Sequence, residues 1–115
     1  MAINLTTPES RQLHPVETDA PKKATENSVW EVVSSDNPYV HVAKVNAKSV
    51  VPAHSHSTSE VMIIIDGSLD LDGSICPTGS IAIIPPNERY SFVVGDEGVT
   101  FVVVRPQKAA FSSAE

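Results

Sequence analysis

The sequence predicts an all-β domain, a sandwich or a small barrel. Three observations carry this. Valine and isoleucine dominate the apolar residues, which make up 41% of the chain. Short apolar stretches recur with turn signals between them. Nine prolines and five glycines punctuate 115 residues, a mix that favours strands and turns over helices.

Taken in order, residues 1–28 form a polar arm carrying Pro8, Pro15 and Pro21, with no helical period. Such an arm either leaves the domain unattached or lies across a partner surface. His14 within it reads as solvated. From Val29 the texture changes. The stretches VWEVV, YVHVAKV, EVMIII, SLDLD, SIAII, YSFVV and VTFVVV read as strands. SDNP, NAKS, Asp66-Gly67, Asp72-Gly73, PTG, PPN and GDEG read as the turns between them. The domain therefore spans 29–106, and 107–115 is a tail.

Alternation assigns the faces. In YVHVAKV, Lys44 belongs in water and takes Val40 and Val42 with it. Tyr39, His41, Ala43 and Val45 then point inward. In EVMIII, Glu60, Met62 and Ile64 share one face, and Val61, Ile63 and Ile65 the other. Both faces are apolar, so the outer one is expected to meet another strand layer or another subunit. The expected pocket wall is Met62, Ile64, Ile83, Tyr90, Phe92 and Val102, mostly apolar and suited to an aromatic or aliphatic molecule.

Composition excludes several classes. The net charge is -6 and the basic residues are scattered, so there is no nucleic-acid footprint. No apolar run is long enough to span a bilayer. The first residues lack the basic start and apolar core of a secretory signal. Cys76 is the one cysteine, so no internal disulfide forms. These absences lead us to expect a cytoplasmic protein.

The chemistry concentrates in PAHSHSTSE, Pro52 to Glu60. Residues i and i+2 of a strand project to one side, so His54 and His56 enter one space. Glu60 opens the following strand, and its carboxylate can close a three-ligand face. Two histidines and a carboxylate with open positions suit non-haem Fe(II). With zinc, the open position holds an activated water. An HxH pair alone is a weak signal. With a glutamate at this spacing, ahead of an apolar strand and a glycine turn, it is far more specific. Three buried ionisable groups would otherwise be costly unless paired with one another.

The stretch PAHSHSTSEVMIIIDG resembles the first motif of the cupin family, with Pro52, His54, His56, Glu60 and Gly67 in place. Lys48 stands where the family has a leading glycine. GSIAIIPPNERYSFVV resembles the second motif through Gly79 and Pro85. Asn87 replaces a glycine there, and asparagine tolerates left-handed backbone. The family's fourth metal ligand, a histidine, is Tyr90 here, and Val94 replaces the motif's terminal asparagine. The resemblance spans roughly Val29 to Pro106.

The resemblance implies a double-stranded β-helix, or jelly-roll, barrel preceded by the arm. It implies one divalent ion per chain, Fe(II) favoured and Zn, Ni or Mn possible, held by His54, His56 and Glu60. It implies a small-molecule enzyme, first of the Fe(II) dioxygenase type. The alternatives are a lyase, isomerase or cyclase using another metal, and a non-catalytic ligand-binding or sensory module. Tyr90 has three readings: a weak ligand, a hydrogen-bonding neighbour of substrate or bound water, or packing. His41 is either a replacement ligand or acid–base group, or a polar residue near the barrel mouth. With Zn, Ni or Mn, Tyr90 or His41 is the expected proton shuttle. Arg89 is either a rim contact for an anionic substrate or an ordinary surface arginine. Cys76 reads as a small packed thiol. A homodimer is expected from the second apolar face and the arm.

Overall fold

A computed structural model describes residues 3–17 and 25–112. Residues 18–24 of the expected arm and 113–115 of the expected tail lie outside the described residues. Among the described residues nine strands follow in order: β1 (His14–Pro15), β2 (Ser28–Ser35), β3 (Tyr39–Val45), β4 (Val50–His56), β5 (Glu60–Leu71), β6 (Ser74–Cys76), β7 (Ile81–Ile84), β8 (Tyr90–Arg105) and β9 (Phe111–Ser112). All pairings among them are antiparallel. No helix among the described residues is long and apolar enough to cross a membrane.

The spine is the long antiparallel ribbon of β5 and β8, registered from Val61↔Val104 to Leu71↔Phe92. At one end β3 flanks β8 and β7 flanks β5. At the other end β4 flanks β8 and β6 flanks β5. The sequence reading splits each long strand in two, at Asp66-Gly67 and at GDEG. The structure instead runs the chain straight through both, with register shifts between Ile64 and Asp66 and between Gly67 and Leu69. The reason is a close crossing of backbones. A Cβ on Gly67 would stand 2.0 Å from the Gly98 carbonyl oxygen, and both glycines have positive φ. A signal expected to end a strand therefore bends one. Asp72-Gly73 is the true turn, with φ of 48° and 95°, between β5 and β6.

Lys48 and Asn87, the two replacements of family glycines, both keep a φ of 63°. The left-handed turns survive without glycine.

The core lies between the inner faces. Ala43 and Val45 of β3, Met62, Ile64 and Leu69 of β5, and Tyr90, Phe92, Phe101 and Val103 of β8 are all buried in one cluster. Fully burying one such aliphatic side chain contributes about 1.5–3 kcal/mol. Three assignments need correction. Ile83 is 68% exposed and Val102 lies on the outer face, opposite Ile63. Ile84, Phe101 and Val103 take the inward places. In FVVV, Phe101 to Val104, both faces are apolar, so alternation could not choose the register. Ile64 is buried in the core but does not line the cavity.

The outer face forms two rows across four strands. Ile83, Val61, Val104 and Val40 make one row, and Ile81, Ile63, Val102 and Val42 the other. Its β7 end is exposed, whereas Val42 at the β3 end is 2% exposed. Beside Val42 stands Glu31 of β2. Glu31 accepts from Thr6 Oγ1 at 2.8 Å and from the Gln12 amide at 3.0 Å. The described part of the arm thus packs on its own sheet, and β1 extends that sheet beyond β2.

Candidate active site

The site is built where β4, β5 and β8 meet β3. His54 on β4 is the direct partner of Tyr90 on β8, so the two motifs touch across one ladder. The ladder shifts register between Val51 and His54. Pro52 lies in that gap and has no amide hydrogen to donate. Its carbonyl instead takes His54 Nδ1 at 2.8 Å. A carbonyl only accepts, so Nδ1 carries the hydrogen and the neutral ring has its lone pair on Nε2. The His56 ring stands 5.0 Å away, edge-on, and the Tyr90 ring stands 4.5 Å from His54. The two histidines enter one space, as the strand period requires.

Burial holds both imidazoles neutral. It lowers His54, against the Pro52 carbonyl and Glu60, which raise it. It lowers His56 to about 3, assisted by the charge of Arg105.

Glu60 begins β5 and is 2% exposed. Burying a lone carboxylate is expensive, and here it is fully engaged. Arg105 donates from Nε at 2.9 Å and from Nη2 at 2.7 Å, both to Oε1. Tyr90 donates its hydroxyl to Oε2 at 2.9 Å. Burial, then the charge of Glu60, pushes the Tyr90 phenol well above its ordinary value, so it remains a donor. His56 Nε2 stands 3.8 Å from Oε1.

Arg105 closes β8 and continues its inward period from Phe101 and Val103. Its guanidinium lies 5.2 Å over the Tyr39 ring. The Tyr39 hydroxyl meets His41 Nδ1 at 2.9 Å, and Trp30 packs 5.0 Å from the His41 ring. His41 is inward, as its face assignment requires. Burial, then Arg105, lowers it to about 3.

His41, His54, His56, Glu60 and Tyr90 all line one cavity of about 160 Å³. Arg105, Tyr39 and Trp30 line it too, and the sequence reading missed all three in this role. An arginine on the inward period of a buried strand was the available signal for Arg105. Part of the tail reaches the site. β9 pairs with β4 beside His56, and Lys108 and Ala109 join the cavity wall. Arg89, Cys76 and His14 do not line it, and His14 is exposed.

The three expected ligands, His54, His56 and Glu60, line the same cavity, and Glu60 is already engaged there. Two neutral imidazoles suit a metal. The Glu60 oxygens already accept from Arg105 and Tyr90, so an ion there would share the carboxylate with both. Among the described residues no three His, Cys, Asp or Glu side chains form a group that would hold a metal ion.

An antiparallel barrel with this polar cluster at its mouth defines the class: the chain has the cupin fold. Solved structures agree. The polyketide cyclase RemF from Streptomyces resistomycificus superposes with a TM-score of 0.80 at 17% identity, covering 99% of this chain and 87% of that one. An RmlC-like cupin from Shewanella frigidimarina gives 0.72 at 12% identity, with 93% and 94% covered. KdgF from a Halomonas species gives 0.68 at 13% identity, with 89% and 92% covered. No protein-family model matches the sequence, and no curated protein matches it.

Proposed function

We propose that the chain is a small-molecule enzyme that moves a proton beside a carbonyl group, of the isomerase, lyase or cyclase kind. The convergence in one largely apolar cavity of an oriented imidazole, His54, and a fixed cation, Arg105, carries this reading. His54 is the best-placed base. Its ring is held by a backbone carbonyl, its lone pair is on Nε2, and Glu60 opposes the loss of basicity that burial causes. The base breaks a C–H bond next to the carbonyl, and the proton goes to Nε2. The electron pair forms a C=C bond, and negative charge develops on the carbonyl oxygen. Arg105 supplies the positive field that this oxygen feels in a low-dielectric site. Tyr90 keeps Glu60 in place. The cavity suits a one-ring compound, since a comparable void holds benzene. The likeness to a polyketide cyclase supports the choice of carbonyl chemistry.

The test is deuterium exchange in D2O, followed by NMR, with a panel of diketones, keto acids and aromatic polyketones. Exchange at the carbon beside the carbonyl is expected with wild type after chelator treatment. It is expected to fall at least 100-fold in His54→Asn. No exchange across the panel would sink the reading.

A second reading, metal dependence, is favoured by the two neutral imidazoles of His54 and His56. A divalent ion would then serve dioxygenase chemistry as Fe(II), or lyase and cyclase chemistry as Zn, Ni or Mn. Elemental analysis decides it. About one ion per chain, with exchange or oxygen uptake abolished by chelation, replaces the first reading with this one.

A further inference from the structure

We infer that Tyr39 sets His41 as a neutral hydrogen-bond donor, and that the ring N–H of His41 receives the carbonyl oxygen of a bound ketone, or the enolate it becomes. This rests on the carbonyl reading above. The argument begins with hydrogens. The Tyr39 hydroxyl lies 2.9 Å from His41 Nδ1, and the Arg105 guanidinium stands over the Tyr39 ring, 5.2 Å from its centre. Between a phenol and a neutral imidazole, the phenol O–H is the stronger donor and the bare ring nitrogen the stronger acceptor. The Tyr39 hydrogen therefore goes to His41 Nδ1. Nδ1 therefore accepts, and in a neutral imidazole the hydrogen then sits on Nε2. Burial and the nearby guanidinium keep the ring neutral.

The Nε2–H is in position for a ligand. His41 is 7% exposed and lines the cavity. No described residue takes the Nε2 hydrogen. Trp30 packs against the ring and limits its rotation. A neutral imidazole is a good electrophilic partner for a carbonyl, because it stabilises the oxyanion without first giving up its proton. The same arrangement makes it a poor base. Two histidines in one cavity thus have opposite polarity. His54 has its hydrogen on Nδ1, tied to a backbone carbonyl, and His41 has its hydrogen on Nε2, set by a tyrosine. One offers a lone pair and the other a proton. Tyr39 is a positioning residue in this scheme.

Two measurements test it. Long-range 1H–15N spectra of the full chain distinguish protonated from unprotonated ring nitrogens. At pH 7 His41 is expected with Nε2 protonated and Nδ1 bare. Tyr39→Phe is expected to mix the two tautomers without unfolding the chain. A wild-type His41 with Nδ1 protonated overturns the inference. The second measurement is binding of acetylacetone, followed by the absorbance of its enolate. Wild type is expected to bind it and enrich the enolate. Affinity is expected to fall at least tenfold in His41→Phe and about threefold in Tyr39→Phe. Equal binding by wild type and His41→Phe overturns the role of His41. If that equal binding is lost in His54→Asn, the carbonyl reading still stands. No binding by wild type also overturns the inference, and the exchange panel then decides the carbonyl reading by itself.

Discussion

Arg105 places both Nε and Nη2 on the same oxygen of Glu60, at 2.9 and 2.7 Å. The two residues lie at one end of the β5–β8 ribbon, where Val61 faces Val104. The pair answers the cost of burying a carboxylate that an apolar strand carries at its start. Removing one partner leaves the other charged and buried, which typically costs about 3–5 kcal/mol. Arg105→Met is expected to lose that much in urea unfolding. Glu60→Gln in the same chain is expected to recover a large part of it. Equal losses in the single and double variants would contradict the pairing.

Tyr90 stands where the resembled motif has a histidine, and its hydroxyl holds Glu60 Oε2. Hydrogen bonds to charged groups contribute about 1.5–3 kcal/mol. Tyr90→Phe is expected to lower stability by about that amount. Tyr90→His combined with Arg105→Met restores an imidazole and releases the carboxylate. That double variant is expected to bind Zn2+ at least tenfold more tightly than wild type in calorimetry. An unchanged affinity would show that Arg105 and Tyr90 do not limit metal binding by Glu60.

Much of this was legible in the sequence, for physical reasons that differ by residue. The strand period placed His54 and His56 together, and Lys44 fixed the face that brings His41 inward. The left-handed tolerance of Asn87 was readable from its side chain. The pairing of Glu60 was not. Arg105 lies 45 residues away along the chain, and only the ribbon register brings it to Glu60. The glycines at 67 and 98 were read as turns because a single sequence does not say that two backbones cross there. Ile83 and Val102 were misplaced because their strands are apolar on both faces.

His41 gives a pH prediction with a definite sign. Its folded value is lowered to about 3, below the ordinary 6.5 that applies when unfolded. Below pH 6.5 the unfolded chain therefore binds the extra proton first. The stability tied to neutral His41 is complete above pH 6.5 and is lost as pH falls towards 3. At pH 5 the loss is about 2 kcal/mol. Wild type is expected to show this fall in urea midpoints between pH 7 and 5. His41→Gln is expected to show a shallower one, and parallel curves would refute the assignment.

Gly67 and Gly73 both have positive φ, but their surroundings differ. A Cβ at Gly67 would meet the Gly98 carbonyl oxygen at 2.0 Å, whereas nothing lies within 4 Å of one at Gly73. Gly73→Ala is expected to cost about 1 kcal/mol, the strain of a left-handed alanine. Gly67→Ala is expected to cost more than about 4 kcal/mol or prevent folding, because backbone cannot step aside cheaply. Similar thermal midpoints for the two variants would show that the crossing of β5 and β8 is not tight.

The exposed end of the outer face bears on assembly. Ile81 and Ile83 are 64% and 68% exposed, and each continues a row of β-branched residues across β5 and β8. A broad apolar sheet face marks an interaction surface, and a second copy of the chain offers the same rows in return, as a two-fold contact requires. Sedimentation equilibrium is expected to give a dimer for wild type. Ile81→Glu with Ile83→Glu places two like charges on each facing surface, and it is expected to weaken the dimer at least 100-fold while leaving the cavity intact. A wild-type monomer at high micromolar concentration would remove the dimer. A dimer unaffected by the two glutamates would move its interface to another face.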